Sequence, residues 1–196
     1  MKTLYLFTNK YKDNDDDDDD DDLKPYFNKE LDYENINYDD KLNEIINSNG
    51  IELFSSPYLS CLQLSKLLID KKIGKFINIE YSLYDILSPN KYNIKNANYY
   101  HNSHFNNNKN DKLKQYLNQH YETNILGSNI KFNETNIEIN NRIGPFMYKL
   151  FNKTKHDMVF VTHDELIKYI IKYVGYYNKL NINENKINIK KINIIK

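Results

Sequence analysis

A chain of 196 residues with 40% hydrophobic side chains can bury one sizeable core, and no apolar run approaches the length of a membrane span. Its one cysteine, Cys61, excludes an internal disulfide and fits a reducing compartment. The formal net charge of zero is a cancellation: Asp15 to Asp22 are eight consecutive acids, and without them 19 of the 27 acidic residues face 27 basic ones, a balance of +8.

In chain order, Thr3 to Phe7 predicts a short first strand ending in Thr8-Asn9-Lys10. Leu4 to Phe7 is too short for a signal-peptide core, so the expectation is a soluble, cytoplasmic protein. Residues 13–22 read as an acidic, disordered loop, because adjacent carboxylates repel and bury nothing. If that run has a role, a basic protein partner or loosely held divalent cations are what it attracts; as low-complexity insertion it needs none.

Leu42, Ile45 and Ile46 predict a helix from Tyr38 to Asn47, closed by Ser48-Asn49-Gly50. Ile51 to Phe54 predicts a second strand, Ser60 to Lys72 a helix ending before Gly74, and Phe76 to Tyr81 a third strand. Strand, helix, strand, helix, strand argues for a parallel sheet with crossover helices.

Residues 88–110 lose periodicity and read as an Asn-rich insertion; Asp111 to Tyr121 regains weak helical character, and Asn124 to Asn133 is ambiguous. From about Glu134, a helix carries Ile143, Phe146, Met147, Leu150 and Phe151 on one face, with Gly144-Pro145 expected to kink or restart it. Met158 to Thr162 is an apolar run, followed by Leu166, Ile167, Ile170 and Ile171 at helical spacing. A buried strand therefore feeds directly into an amphipathic helix, with His163 at the joint, where open α/β sheets bind ligands. Over residues 181–196, Ile alternating with Asn or Lys predicts edge strands, with Lys190-Lys191 marking a bulge or turn that protects the edge.

The element order resembles the histidine phosphatase superfamily, with its phosphoglycerate mutase-like fold. So do Ser56-Pro57-Tyr58-Leu59-Ser60-Cys61-Leu62-Gln63-Leu64-Ser65 after the second strand, Leu83-Tyr84-Asp85 after the third and Val161-Thr162-His163 after the late one. The resemblance implies a single three-layer α/β domain over 1–196, a mostly parallel central sheet with flanking helices. It also implies that His163 and Asp85 hold the positions of the second histidine and the general acid.

Four pocket positions depart from the family pattern. Thr8 and Asn9 stand where the family has arginine and its nucleophilic histidine, and an amide cannot take up a phosphoryl group. Ser60 stands for a second arginine, and the chain's only arginine is Arg142, on the helix before the late strand, so the bidentate phosphate clamp is absent. Asp164 replaces glycine and puts a carboxylate at a helix N-terminus, where it disfavours phosphate.

The expectation is a catalytically inactive member acting as a binding or scaffolding module, with His163 and Asp85 vestigial and no cofactor. The alternative is a phosphohydrolase that uses His163 and Asp85 by a noncanonical mechanism. Cys61 aligns with a small buried family position and has no basic neighbour in sequence, so a packed core thiol is expected. His101 and His104 have a metal-like spacing without further ligands, so no metal site is expected. The lysines of the last strands lack aromatic stacking partners, and nucleic acid is not an expected partner.

Overall fold

The computed structural model describes residues 2–8, 31, 42, 45, 50–86, 111–125, 131, 133–178 and 189–194. The acidic loop, the Asn-rich insertion and Asn9 lie outside these residues. Among the described residues, five strands form one sheet: β1 (Lys2–Thr8), β2 (Ile51–Ser55), β3 (Ile77–Ile79), β4 (Asp157–Thr162) and β5 (Ile189–Ile194). Their order is β3-β2-β4-β1-β5, with β1 to β4 mutually parallel and β5 antiparallel beside β1. The helices whose bounds are described are α1 (Leu59–Asp70), the single turn α2 (Asp111–Lys114), α3 (Asn136–Lys153) and α4 (Asp164–Asn178).

Strand periodicity explains the layering. Leu4, Leu6, Phe54, Met158 and Phe160 join one core cluster with Ile143, Phe146 and Met147 of α3 and Leu166 and Ile170 of α4. Tyr5, Phe7, Leu53, Val159 and Val161 belong to the other, with Leu62, Leu64 and Leu68 of α1. Because both faces are covered, β1 and β4 read as unbroken apolar runs rather than alternating ones. The rings of Phe54, Phe146 and Phe160 meet at centroid distances of 5.4–5.6 Å, and truncating Phe160 to Ala is expected to cost about 3–5 kcal/mol.

Several expectations are refined. Leu42 and Ile45 are helical and buried, and the rest of the expected helix around them lies outside the described residues. Gly50 has φ +73°, where a Cβ would come within 2.7 Å of His156 Nδ1. The third strand is shorter than Phe76 to Tyr81, because the chain leaves the sheet at Glu80 for a 3-10 turn over Tyr81–Leu83. Helical character in Asp111 to Tyr121 stops at Lys114, and Leu117 instead forms a parallel bridge with Ile77, extending the sheet beyond β3.

The expected restart at Gly144-Pro145 does not occur. α3 runs through Pro145 as one helix, and both Pro145 and Asn141, whose carbonyl loses its usual partner, are solvent-exposed, so water can satisfy that oxygen. A capping box starts this helix: Glu138 N–H donates to Thr135 Oγ1, while Thr135 N–H donates to Glu138 Oε2. At the other end of the chain, Lys190 and Lys191 pair in continuous register with Leu6 and Tyr5, so the doublet is neither bulge nor turn.

Candidate functional site

The carboxyl ends of β2 and β4 lie side by side: Phe54 pairs with Phe160, Ser55 with Val161, and Ser56 N–H donates to the Val161 carbonyl at 2.9 Å. β1 ends beside them, with Thr8 opposite Thr162. One residue beyond β4, His163 gives its carbonyl to Ile167 N–H as α4 begins, and its ring turns inward, leaving 3% of the residue exposed. The same strand ends therefore gather Ser56, His163 and the first turn of α1.

Described side chains approach the imidazole from two sides. Nε2 lies 3.2 Å from Ser56 Oγ and 3.7 Å from Cys61 Sγ, and the Tyr58 ring packs edge-on at a centroid distance of 4.3 Å. On the other side, Nδ1 is 3.8 Å from Asp85 Oδ2, beyond hydrogen-bond range but close enough for charge attraction when the ring is protonated. With its proton on Nδ1, facing the carboxylate, Nε2 accepts from the Ser56 hydroxyl.

Asp85 is fully buried, and the Ser82–Asp85 segment that presents it is held by several hydrogen bonds. Its Oδ1 accepts Ile86 N–H at 2.8 Å, Thr162 Oγ1 donates to the Leu83 carbonyl at 2.7 Å, and Arg142 Nη1 donates to the carbonyls of Ser82 and Tyr84 at 3.0 and 2.8 Å. Arg142 in turn is locked by Glu134, with Nε to Oε1 at 2.9 Å and Nη2 to Oε2 at 2.7 Å. Just upstream, the buried Glu80 accepts from Ser82 N–H, Thr123 Oγ1 and Asn124 N–H, and from the Tyr121 hydroxyl at 2.5 Å. It fastens residues 121–125 across the end of β3.

Carboxylate, imidazole and hydroxyl stand here in the order used by nucleophile relays. Yet Ser56 and Cys61 are fully buried, and burial, reinforced by the Asp85 charge, pushes the Cys61 thiol well up, so it stays protonated at neutral pH. Cys61 is thus the buried thiol expected from its sequence position, but folding supplies the basic neighbour that its sequence surroundings lack.

Of the residues singled out by sequence, His163 and Asp85 come together. Thr8 and Ser60 are buried, Thr8 at the end of β1 and Ser60 in the first turn of α1. Asp164 is the exposed first residue of α4, where its charge complements the helix dipole. Asn9, His101 and His104 lie outside the described residues, and among those described no group of three or more His, Cys, Asp or Glu is arranged to hold a metal.

Sequence reasoning assigned no role to Tyr58, Glu80 or the Glu134–Arg142 pair. An acid closing the apolar run Phe76 to Tyr81 is a visible signal for Glu80; the pair, eight positions apart across a helix cap, follows no helical spacing rule. The chain matches no protein-family model and no curated protein sequence. Among the described residues, no helix is long and apolar enough to cross a membrane.

Proposed function

We propose that this chain is a degenerate histidine phosphatase-like protein of phosphoglycerate mutase-like fold, whose phosphoryl-transfer apparatus is lost and which serves as a binding or scaffolding module. The observation that carries this reading is the commitment of Arg142, the only arginine, to Glu134 and two backbone carbonyls, which leaves no guanidinium to grip a phosphoryl group. Three others support it: Asn9 in place of a nucleophilic histidine, the near-complete burial of His163, and Asp164 at the start of α4. The single cysteine fits a working place in a reducing cell interior.

The second reading, a phosphohydrolase built on His163 and Asp85, draws support from the 3.8 Å approach of their side chains. A screen of purified protein over a panel of phosphomonoesters separates the two, run beside His163→Ala and an Asn9→His, Ser60→Arg double variant. No turnover by the wild type is expected, and turnover gained by the double variant would support the phosphatase-like ancestry of the pocket. Wild-type turnover abolished in His163→Ala would replace the binding-module reading with the enzyme.

The partner side of the proposal is a basic protein drawn to Asp15 to Asp22. Deleting those eight residues is expected to weaken its capture, with the wild-type interaction fading as salt rises.

A further inference from the structure

Each crossover in a parallel sheet returns the chain to the amino-terminal end of the strands, and here two of those returns are basic. The turn from α1 into β3 exposes Lys71, Lys72 and Lys75, and the end of α3 with the turn into β4 exposes Lys153, Lys155 and His156. Only β2 separates β3 from β4, so the two turns enter the sheet about 10 Å apart. Both pack on the start of β2, Gly74 against Leu53 and His156 against Gly50. Among the described residues, no carboxylate pairs with Lys72, Lys75, Lys153 or Lys155. The acids at this end are engaged elsewhere: Asp70 with Lys66, Asp157 with the Thr3 N–H and Glu52 with the Thr154 hydroxyl. The amino-terminal end of the sheet is thus a cationic face.

The opposite end is acidic. β1 delivers the chain there at Thr8, about 20 Å from its start, at the end where α4 begins with Asp164 and Glu165. Seven residues after Thr8 the sequence enters Asp15 to Asp22. We propose that the cationic face is the docking surface for the acidic run of a second copy of this chain, so that molecules associate head to tail. Charge selects the occupant: the eight carboxylates of the run match the +8 balance of the rest of the chain, 27 basic against 19 acidic residues. Because the chain departs for the run at one end of the sheet and the face lies at the other, neighbouring molecules line up without either chain doubling back. The contact joins two different surfaces, so it is heterologous, and its repetition builds chains or rings.

Exposed ion pairs are individually weak and are screened by salt, so the association is weak, concentration-dependent and confined to low ionic strength. The inference deepens the binding-module reading: it rests on the acidic run being a docking element, and it identifies the basic partner as the chain itself. It does not depend on the state of the His163 site, so a phosphatase result leaves it standing.

Sedimentation equilibrium of the full chain tests it at about 0.05 and 0.5 M salt. The wild-type mass is expected to rise above that of the monomer with concentration in low salt and to return to it in high salt. One variant replaces all of Asp15 to Asp22 by Asn; another carries Lys72→Glu, Lys75→Glu and Lys155→Glu together. Each should weaken self-association roughly tenfold or more. Mixed in equal amounts, the two should form a one-to-one complex and nothing larger, because one keeps the face and the other keeps the run. That rescue cannot come from misfolded protein. A wild type that stays monomeric in low salt up to about 1 mM would overturn the proposal, as would variants that associate as the wild type does or a mixture that stays monomeric. Capture of a foreign basic protein by a wild type that remains monomeric would overturn self-association while leaving the partner reading in place. Loss of both would remove both.

Discussion

Arg142 and Glu134 meet as a two-pronged ion pair whose side chains are 4% and 3% exposed, and Arg142 spends its remaining reach on the carbonyls of Ser82 and Tyr84. The pair fastens the start of α3 to the turn that presents Asp85, so the one guanidinium in the chain is an architectural element. Both charges are desolvated, and each is tolerable only because the other is present.

Removing one partner should therefore be costly. Arg142→Met is expected to lower unfolding stability by about 3–5 kcal/mol, because it leaves the Glu134 carboxylate buried and two carbonyls without their donor. Arg142→Lys should recover less than half of this, since an ammonium cannot reproduce the planar fork. Urea denaturation of the two variants measures both effects; a loss under about 1 kcal/mol for Arg142→Met would contradict the role.

Glu80 makes a second test of buried electrostatics. Its carboxylate accepts from two backbone N–H groups and from the hydroxyls of Tyr121 and Thr123. Glu80→Gln replaces one acceptor oxygen by an amide donor that faces donors, at an expected cost of about 2–3 kcal/mol. Hydrogen exchange should report the loss locally, with faster exchange at Tyr81 and Asn124 than at the centre of β4.

Alkaline pH should destabilise the fold through Cys61. Burial raises its pKa, so the folded state keeps a proton that the unfolded state releases. The thiol's contribution is complete below its ordinary range and is lost as pH rises above about 9, with a limiting slope near 1.4 kcal/mol per pH unit. Tyr84 and Tyr121, both raised chiefly by burial, act in the same direction at higher pH. Stability measured from about pH 8 to 11 should fall less steeply in Cys61→Ser than in the wild type. Equal slopes would mean that the thiol is not protected.

His163→Ala separates packing from chemistry. It removes the ring against Tyr58 and leaves the buried Ser56 hydroxyl without its imidazole partner, for an expected loss of about 1–3 kcal/mol. No phosphatase signal should change, because none is expected in the wild type. Thermal unfolding measured beside the phosphomonoester screen checks both halves.

Much of the architecture was legible without coordinates because it rests on local periodicity. The unbroken apolar runs of β1 and β4, the helical spacing of Ile143, Phe146, Met147 and Leu150, and the His163 joint before α4 are each set by neighbours within a few positions, and all appear where expected. The resemblance that tied Asp85 to His163 named two residues that do approach each other across 78 positions of chain.

What only tertiary structure decided are relationships between distant segments. Nothing in the spacing of Ser56, Cys61 and Asp85 says that they converge on one imidazole; the parallel pairing of β2 with β4 does that. Likewise, a helical pattern marks Arg142 as an interruption of an apolar face, while its partners come from a helix cap and a 3-10 turn. Local sequence determines which backbone state and which face a residue takes, because those depend on sterics and burial over one or two turns. Which polar groups meet inside is settled by strand order, and strand order is a balance of packing over the whole sheet that no short stretch contains.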